Sequence, residues 1–216
     1  MMKDSTKKTL DTLFDRYPAL EICRVDIFAA AEAICACCHA GGKLLLCGNG
    51  GSASDAEHIV GELMKGFLKK RPLPTILREK MKAAFPQDAD YLYENLQGAL
   101  PAVSLVNSVA LGTAFANDQA ADLVFAQQVL GLGREGDVLL AISTSGNSKN
   151  VLYAAEMAKV RGLKTVALTG RSGGRLKPLA DITIAVPEDE TYRIQELHLP
   201  VYHAVCIAAE EEFFEA

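Results

Sequence analysis

Five short apolar runs, at residues 43–47, 102–106, 137–142, 165–168 and 182–186, alternate along this chain with segments patterned as helices. The helical segments lie at about 52–65, 120–132, 148–161 and 191–214, with a shorter one near 174–180. The runs are predominantly apolar without a polar alternation, as suits strands covered on both faces. Helical crossovers return the chain to the same end of the sheet, so the strands lie parallel and helices cover both faces. The expected fold class is α/β, a three-layer sandwich on a five-stranded parallel sheet.

Two segments stand outside that rhythm. Residues 1–40 read as N-terminal helices, interrupted near Pro18 and ended by Gly41-Gly42. Residues 41–216 then form the α/β domain, with an inserted helical excursion near 76–100. The excursion mixes charges with Phe85, Tyr91 and Tyr93 around Pro86-Gln87-Asp88. Half of the 216 residues are hydrophobic, enough to build a core without disulfides or structural metals. A net charge of −5 argues against a broad nucleic-acid-binding surface, so no nucleic acid is expected as a partner. No run approaches the ~20 apolar residues of a membrane span, and the start has no signal-peptide core. The expectation is a cytoplasmic protein with no membrane partner and with its six cysteines free. Cys35, Cys38 and His39 would share a helix face, but no second cysteine pair lies near them. They read as small core residues.

In an open parallel sheet, ligands bind at the carboxyl ends of the strands. Two loops there carry chemistry. After the third strand comes Ser143-Thr144-Ser145-Gly146-Asn147-Ser148, four hydroxyls in six residues, opening directly into a helix. A helix N-terminus offers unpaired N–H groups and the positive end of its dipole, so the loop is a cradle for a phosphate. It has no lysine of its own and no Walker sequence, which points to one phosphate on a small metabolite and away from a nucleotide. After the first strand comes Gly48-Asn49-Gly50-Gly51-Ser52, a glycine-rich turn that also opens a helix.

Titratable groups follow both loops. His58 and Glu62, four apart, share a helix face that looks toward the ligand mouth. They can form a solvated pair, a two-ligand metal face, or a base with its neighbour. The last helix carries Gln195, His198 and His203 around Pro200, which would kink it. Gln195 and His203 are separated by ~12 Å along a straight helix, so one ion reaches both only if the helix bends or a second subunit supplies one. His198 reads as a packing residue or as support for its neighbours.

Together these residues resemble the sugar isomerase (SIS) domain and, within it, the phosphoheptose isomerase family. The resemblance rests on Cys47-Gly48-Asn49-Gly50-Gly51-Ser52, Asn117-Asp118, Gly136-Asp137-Val138-Leu139-Leu140 leading into the serine loop, Leu168-Thr169-Gly170, and Arg193-Ile194-Gln195-Glu196. It implies that Asn49, Gly50, Gly51, Ser52, Asn117 and Asp118 contact a sugar phosphate. It implies that Ser143, Thr144, Ser145 and Ser148 hold the phosphate, with Gln195 touching sugar and metal. His58, Glu62, Gln195 and His203 match the family's zinc ligands, and Glu62 and His203 its proton-transfer pair. The implied protein is a homotetramer that isomerises sedoheptulose 7-phosphate and needs no nucleotide or redox cofactor. Replication-initiation regulators share the fold and most loops but lack the acid and the final histidine; a non-catalytic sensor of that kind is the competing expectation. An isomerase of another sugar phosphate is a third, because Gly66 stands where many members carry arginine and Tyr192 where many carry aspartate.

Overall fold

The computed structural model describes residues 2–214. Its sheet has five strands, β1 (Leu44–Cys47), β2 (Ala102–Ser104), β3 (Val138–Ile142), β4 (Lys164–Thr169) and β5 (Ile182–Ala185). They run in the order β2-β1-β3-β4-β5, and every pair is parallel. The expected α/β class and strand count are those observed.

The side-chain alternation of the strands divides the core in two. Leu44, Leu46, Val138, Leu140, Ile142, Val166 and Leu168 face one layer. That layer contains α1 (Asp4–Arg16), α2 (Arg24–His39), α3 (Gly51–Met64) and α9 (Thr191–Phe213). Leu45, Cys47, Leu139, Ala141 and Ala167 face the other, against α7 (Val124–Leu132) and α8 (Lys149–Val160). The N-terminal helices are fastened to the end of α9. The buried Glu212 carboxylate accepts the Lys3 N–H at 2.9 Å and the Thr6 hydroxyl at 2.7 Å. The free cysteines pack as core residues: Cys35 is buried, Cys38 is half-buried, and burial pushes both thiols up to about 12.

Some elements depart from the sequence reading. The excursion forms α4 (Thr75–Ala84) and α5 (Ala89–Asn95), pinned together by the Arg78–Asp90 ion pair at 2.8 Å. The helix expected from residue 120 is preceded by α6 (Val109–Phe115), a π-turn at Ala116–Ala120 and a 3-10 turn at Ala121–Leu123. α6 buries none of its seven residues and leaves Val109 72% exposed; at about two turns it is too short for a helical period to mark it in the sequence. The long last helix is as expected: α9 runs on through Pro200, and Val201, Tyr202 and Val205 hold the following turns against the core.

β1 is followed by α3 on one face and β3 by α8 on the other, while the chain reaches β2 and β4 on opposite sides. The crevice between β1 and β3 is therefore the switch point of the sheet, where ligands bind in such folds.

Candidate active site

The two loops meet at that switch point. A cleft of about 320 Å³ is lined by Asn49, Gly50, Gly51, Ser52, Ile142, Ser143, Thr144, Ser148, Thr191 and Gln195. Its volume lies in the range of small-metabolite sites. A reciprocal amide pair clasps the loops, Asn49 Nδ2 to Asn150 Oδ1 and Asn150 Nδ2 to Asn49 Oδ1, both 2.9 Å. The Ser143 and Ser148 hydroxyls lie 3.0 Å apart at the mouth of α8. Thr191 and Gln195, one turn apart on α9, close the third side. A Cβ on Gly51 would push the Gln195 amide aside, so glycine lets that amide lie against the loop. Gly146 has φ +63° and its Cα lies against the Gly173 carbonyl, which backs the serine loop with a second segment. The lining carries hydroxyls, amides and backbone N–H groups and no ionisable side chain, so it offers an anion dipoles alone.

Eight of the residues expected to contact a sugar phosphate line this cleft. Ser145 does not; it is exposed, and its hydroxyl accepts the Asn147 N–H at 3.2 Å. Asn117 and Asp118 lie in the exposed π-turn, bonded to each other at 2.8 Å and off the cleft. Thr191 went unrecognised in the sequence, although it stands at i−4 from Gln195.

The titratable cluster forms where α3 meets the second half of α9. His58 Nε2 lies 3.2 Å from Glu62 Oε1 and 3.5 Å from His203 Nε2. The two imidazoles meet edge to face at 4.9 Å, and Phe67 covers His203 at 5.4 Å. Burial lowers the His203 pKa from its ordinary value, the neighbouring His58 adds to that, and Glu62 opposes both. Lys65 reaches the other Glu62 oxygen at 3.3 Å and supplies a cation beside the arginine-less Gly66.

This cluster is held from behind. Arg71, fully buried, donates to the Leu63 carbonyl at 2.6 Å and the Glu62 carbonyl at 2.9 Å, capping the last turn of α3. Its Nε bonds Glu210 Oε1 at 2.9 Å. Glu210 also accepts the N–H groups of Phe67, Leu68 and Lys69 at 2.8–3.0 Å. Burial alone would raise the Glu210 pKa, but these donors hold it below the ordinary carboxylate value. Neither residue carries a motif signal; the pair is 139 positions apart and emerges only in the fold.

A tetrahedral zinc with bonds of ~2.0–2.1 Å separates neighbouring ligand atoms by about 3.4 Å. The His58–Glu62 and His58–His203 spacings match that, and two imidazoles with a carboxylate are a zinc donor set. As they stand, no three His, Cys, Asp or Glu side chains among the described residues close on one ion. Gln195 makes no hydrogen bond to His58, Glu62 or His203. Eight residues of continuous helix keep its amide at the cleft, against Gly51. His198, between the two ends, is fully buried, with no well-formed hydrogen bond on either ring nitrogen and only a weak contact to the Thr169 backbone.

Comparison with known proteins follows the same lines. The SIS domain profile matches residues 20–97 and 92–170. The phosphoheptose isomerase of Akkermansia muciniphila is 36% identical over 213 residues, 99% of each chain. That of a Nitratiruptor species is 44% identical over 171 residues, 79% of this chain and 78% of the relative. The structure of the phosphoheptose isomerase from Neisseria gonorrhoeae superposes with a TM-score of 0.73 at 34% identity, covering 96% of this chain and 94% of that one.

Proposed function

The chain belongs to the SIS-domain phosphoheptose isomerases, and from that premise we propose that it interconverts sedoheptulose 7-phosphate and D-glycero-D-manno-heptose 7-phosphate. It is an intramolecular oxidoreductase: one carbon is oxidised as its neighbour is reduced, and no external electron acceptor takes part. The observation that carries the reading is the pairing of an uncharged phosphate cleft with a carboxylate–imidazole cluster on the same two helices, α3 and α9.

In the aldose-forming direction, a base takes a proton from the hydroxyl-bearing carbon beside the ketone. The electron pair moves through the new double bond to the ketone oxygen, which takes up a proton to give an ene-diol. A proton then returns to the former carbonyl carbon, whose hydroxyl stays, while the hydroxyl on the deprotonated carbon loses its proton and becomes the aldehyde. Glu62 and His203 are assigned as the proton-transfer pair. The lowered pKa of His203 leaves it neutral and able to accept a proton at neutral pH. Ser143, Thr144, Ser148 and the loop N–H groups hold the phosphate, with Ser145 at their margin. Asn49, Gly50, Gly51, Ser52 and Gln195 place the sugar between phosphate and cluster. Binding energy taken from the phosphate, which does not react, orients the carbons that do.

Zinc is part of the proposal, with His58, Glu62 and His203 as its ligands in a loose coordination that exchanges with substrate and frees Glu62 and His203 for the proton; when bound it would polarise the substrate oxygens that gain charge in the transition state. Gln195 and the pair Asn117 and Asp118 would reach such a site from a neighbouring subunit of a homotetramer. Apolar side chains left exposed beside them, Val109 and Leu111, support that assembly. The enzyme is placed in the cytoplasm, acting in carbohydrate metabolism.

The test is incubation with sedoheptulose 7-phosphate and, separately, fructose 6-phosphate, with and without added zinc, followed by NMR. Conversion of the heptulose alone is expected, faster with zinc. Turnover of the hexose alone would overturn the substrate, and no turnover of either would overturn the enzyme reading.

A further inference from the structure

We propose that the Tyr202 hydroxyl, anchored on Asp55, is a positioning group that fixes the tautomer of His58 and aims a bare Nε2 at Glu62 and His203. The inference deepens the isomerase reading and rests on it. Tyr202 is buried, and its hydroxyl stands between two groups: Asp55 Oδ1 at 3.3 Å and His58 Nδ1 at 3.0 Å. A phenol has one proton to give. Asp55 makes no other hydrogen bond among the described residues, and its second carboxylate oxygen is buried without a partner. An ionised carboxylate can only accept, so the phenolic proton is committed to it. The oxygen then offers His58 only a lone pair, and Nδ1 must carry the imidazole proton.

The consequence falls on the other ring nitrogen. Nε2 is left without a hydrogen, 3.2 Å from a carboxylate oxygen and 3.5 Å from the His203 ring nitrogen. A bare imidazole nitrogen and a carboxylate at that distance are both acceptors. A donor must therefore serve them, either a cation common to both or, for Nε2, a proton on His203 Nε2. The Asp55–Tyr202 pair therefore holds His58 in the form that a metal requires of an imidazole ligand. It also orients the ring, through the edge-to-face packing of Tyr202 on His58 at 5.5 Å and on His203 at 5.0 Å. Tyr202 touches neither substrate nor reacting atoms in this scheme; it acts through His58.

The experiment uses Tyr202→Phe, which removes one oxygen and keeps the ring packing. The first readout is the long-range ¹H–¹⁵N spectrum of the metal-free protein at a pH where the imidazole is neutral. The wild type is expected to show His58 as the Nδ1–H tautomer, and the variant a mixture. The second is zinc affinity by chelator competition, expected to weaken by about 10–100-fold, with kcat falling by a similar factor and KM for the sugar phosphate little changed. A double variant, Asp55→Asn with Tyr202→Phe, separates orientation from the harm of a stranded carboxylate. It should remain as impaired as the single variant, and recovery would overturn the proposal. So would an Nε2–H tautomer in the wild type, or a Phe variant with unchanged tautomer and zinc affinity. A wild-type protein that shows the Nδ1–H form without isomerising the heptulose would support the positioning role and sink the functional reading instead.

Discussion

The two halves of α9 carry opposite chemistry. Near its start, Thr191 and Gln195 close a cleft whose lining has no ionisable side chain. Two turns later, His203 joins His58 and Glu62 in a cluster made of almost nothing else. A phosphate that only has to be held is served by fixed dipoles, which keep their strength whatever the pH. A proton that has to move needs groups able to change state, and those need a rigid frame to set their distances. The cleft accordingly gets its shape from two local loops, the cluster from contacts that span the chain.

That division predicts a split in kinetics. Glu62→Gln and His203→Ala should each lower kcat by ~10²–10⁴-fold with KM nearly unchanged, measured by steady-state kinetics on sedoheptulose 7-phosphate. A variant that raised KM while sparing kcat would mean that the cluster binds rather than reacts. The frame is the next largest effect. Arg71→Met leaves Glu210 charged, buried and short of a partner, a change that costs about 3–5 kcal/mol in other proteins. Denaturant unfolding should show a loss of that order, and kcat should fall further than KM rises because Arg71 caps the turn that carries Glu62.

The same division decides how much could be read from sequence. The five strands, the serine loop and the glycine turn are contiguous, so apolar runs and side-chain types announce them. Ser143, Ser148 and the turn at residues 48–52 could be proposed as ligand groups on that basis, and Gln195 from the family resemblance; the fold brings them to one cleft. Tyr202, Asp55, Arg71 and Glu210 could not. Each is an ordinary residue on a helix or loop, and its role exists only because α3, the Phe67–Lys69 turn and α9 pack together. Asn117 and Asp118 show the converse: the motif is visible, but a single chain leaves it exposed and off the cleft. Helix α6, seven residues long, is too short for a helical period to mark it.

His198 lies between the two ends and ties them to acidity. Burial pushes its pKa down to about 4, against about 6.5 when unfolded. Above pH 6.5 both states are neutral and the residue is silent. As pH falls from 6.5 toward 4, the unfolded chain takes up a proton that the folded chain refuses, so stability drops by about 3 kcal/mol across that window. His198→Leu should abolish that acid loss while changing neutral-pH stability little, since the ring has only a weak contact with the Thr169 backbone to lose. Urea unfolding of both proteins at pH 7.5 and pH 4.5 checks it. An equal acid loss in both would show that some other group carries the titration. Glu210 contributes in the same direction at lower pH: its folded pKa is depressed, so its stabilising effect is present above the unfolded value and fades as pH falls through the folded one.

The smallest expected effects lie within the serine loop. Ser148 lines the cleft, 3.0 Å from Ser143, and a hydrogen bond to a charged phosphate contributes ~1.5 kcal/mol or more, about tenfold in affinity. Ser145 is exposed, and its hydroxyl is already engaged by the Asn147 N–H. Ser148→Ala should therefore raise KM by about tenfold with kcat little changed, and Ser145→Ala by less than about threefold. The order of the two variants matters more than either magnitude. If Ser145→Ala were the more damaging, the loop would have to turn that hydroxyl inward when the phosphate arrives. The cleft would then be a site that forms around its ligand, and the contrast with the cluster on α9 would lie in mobility as well as in charge.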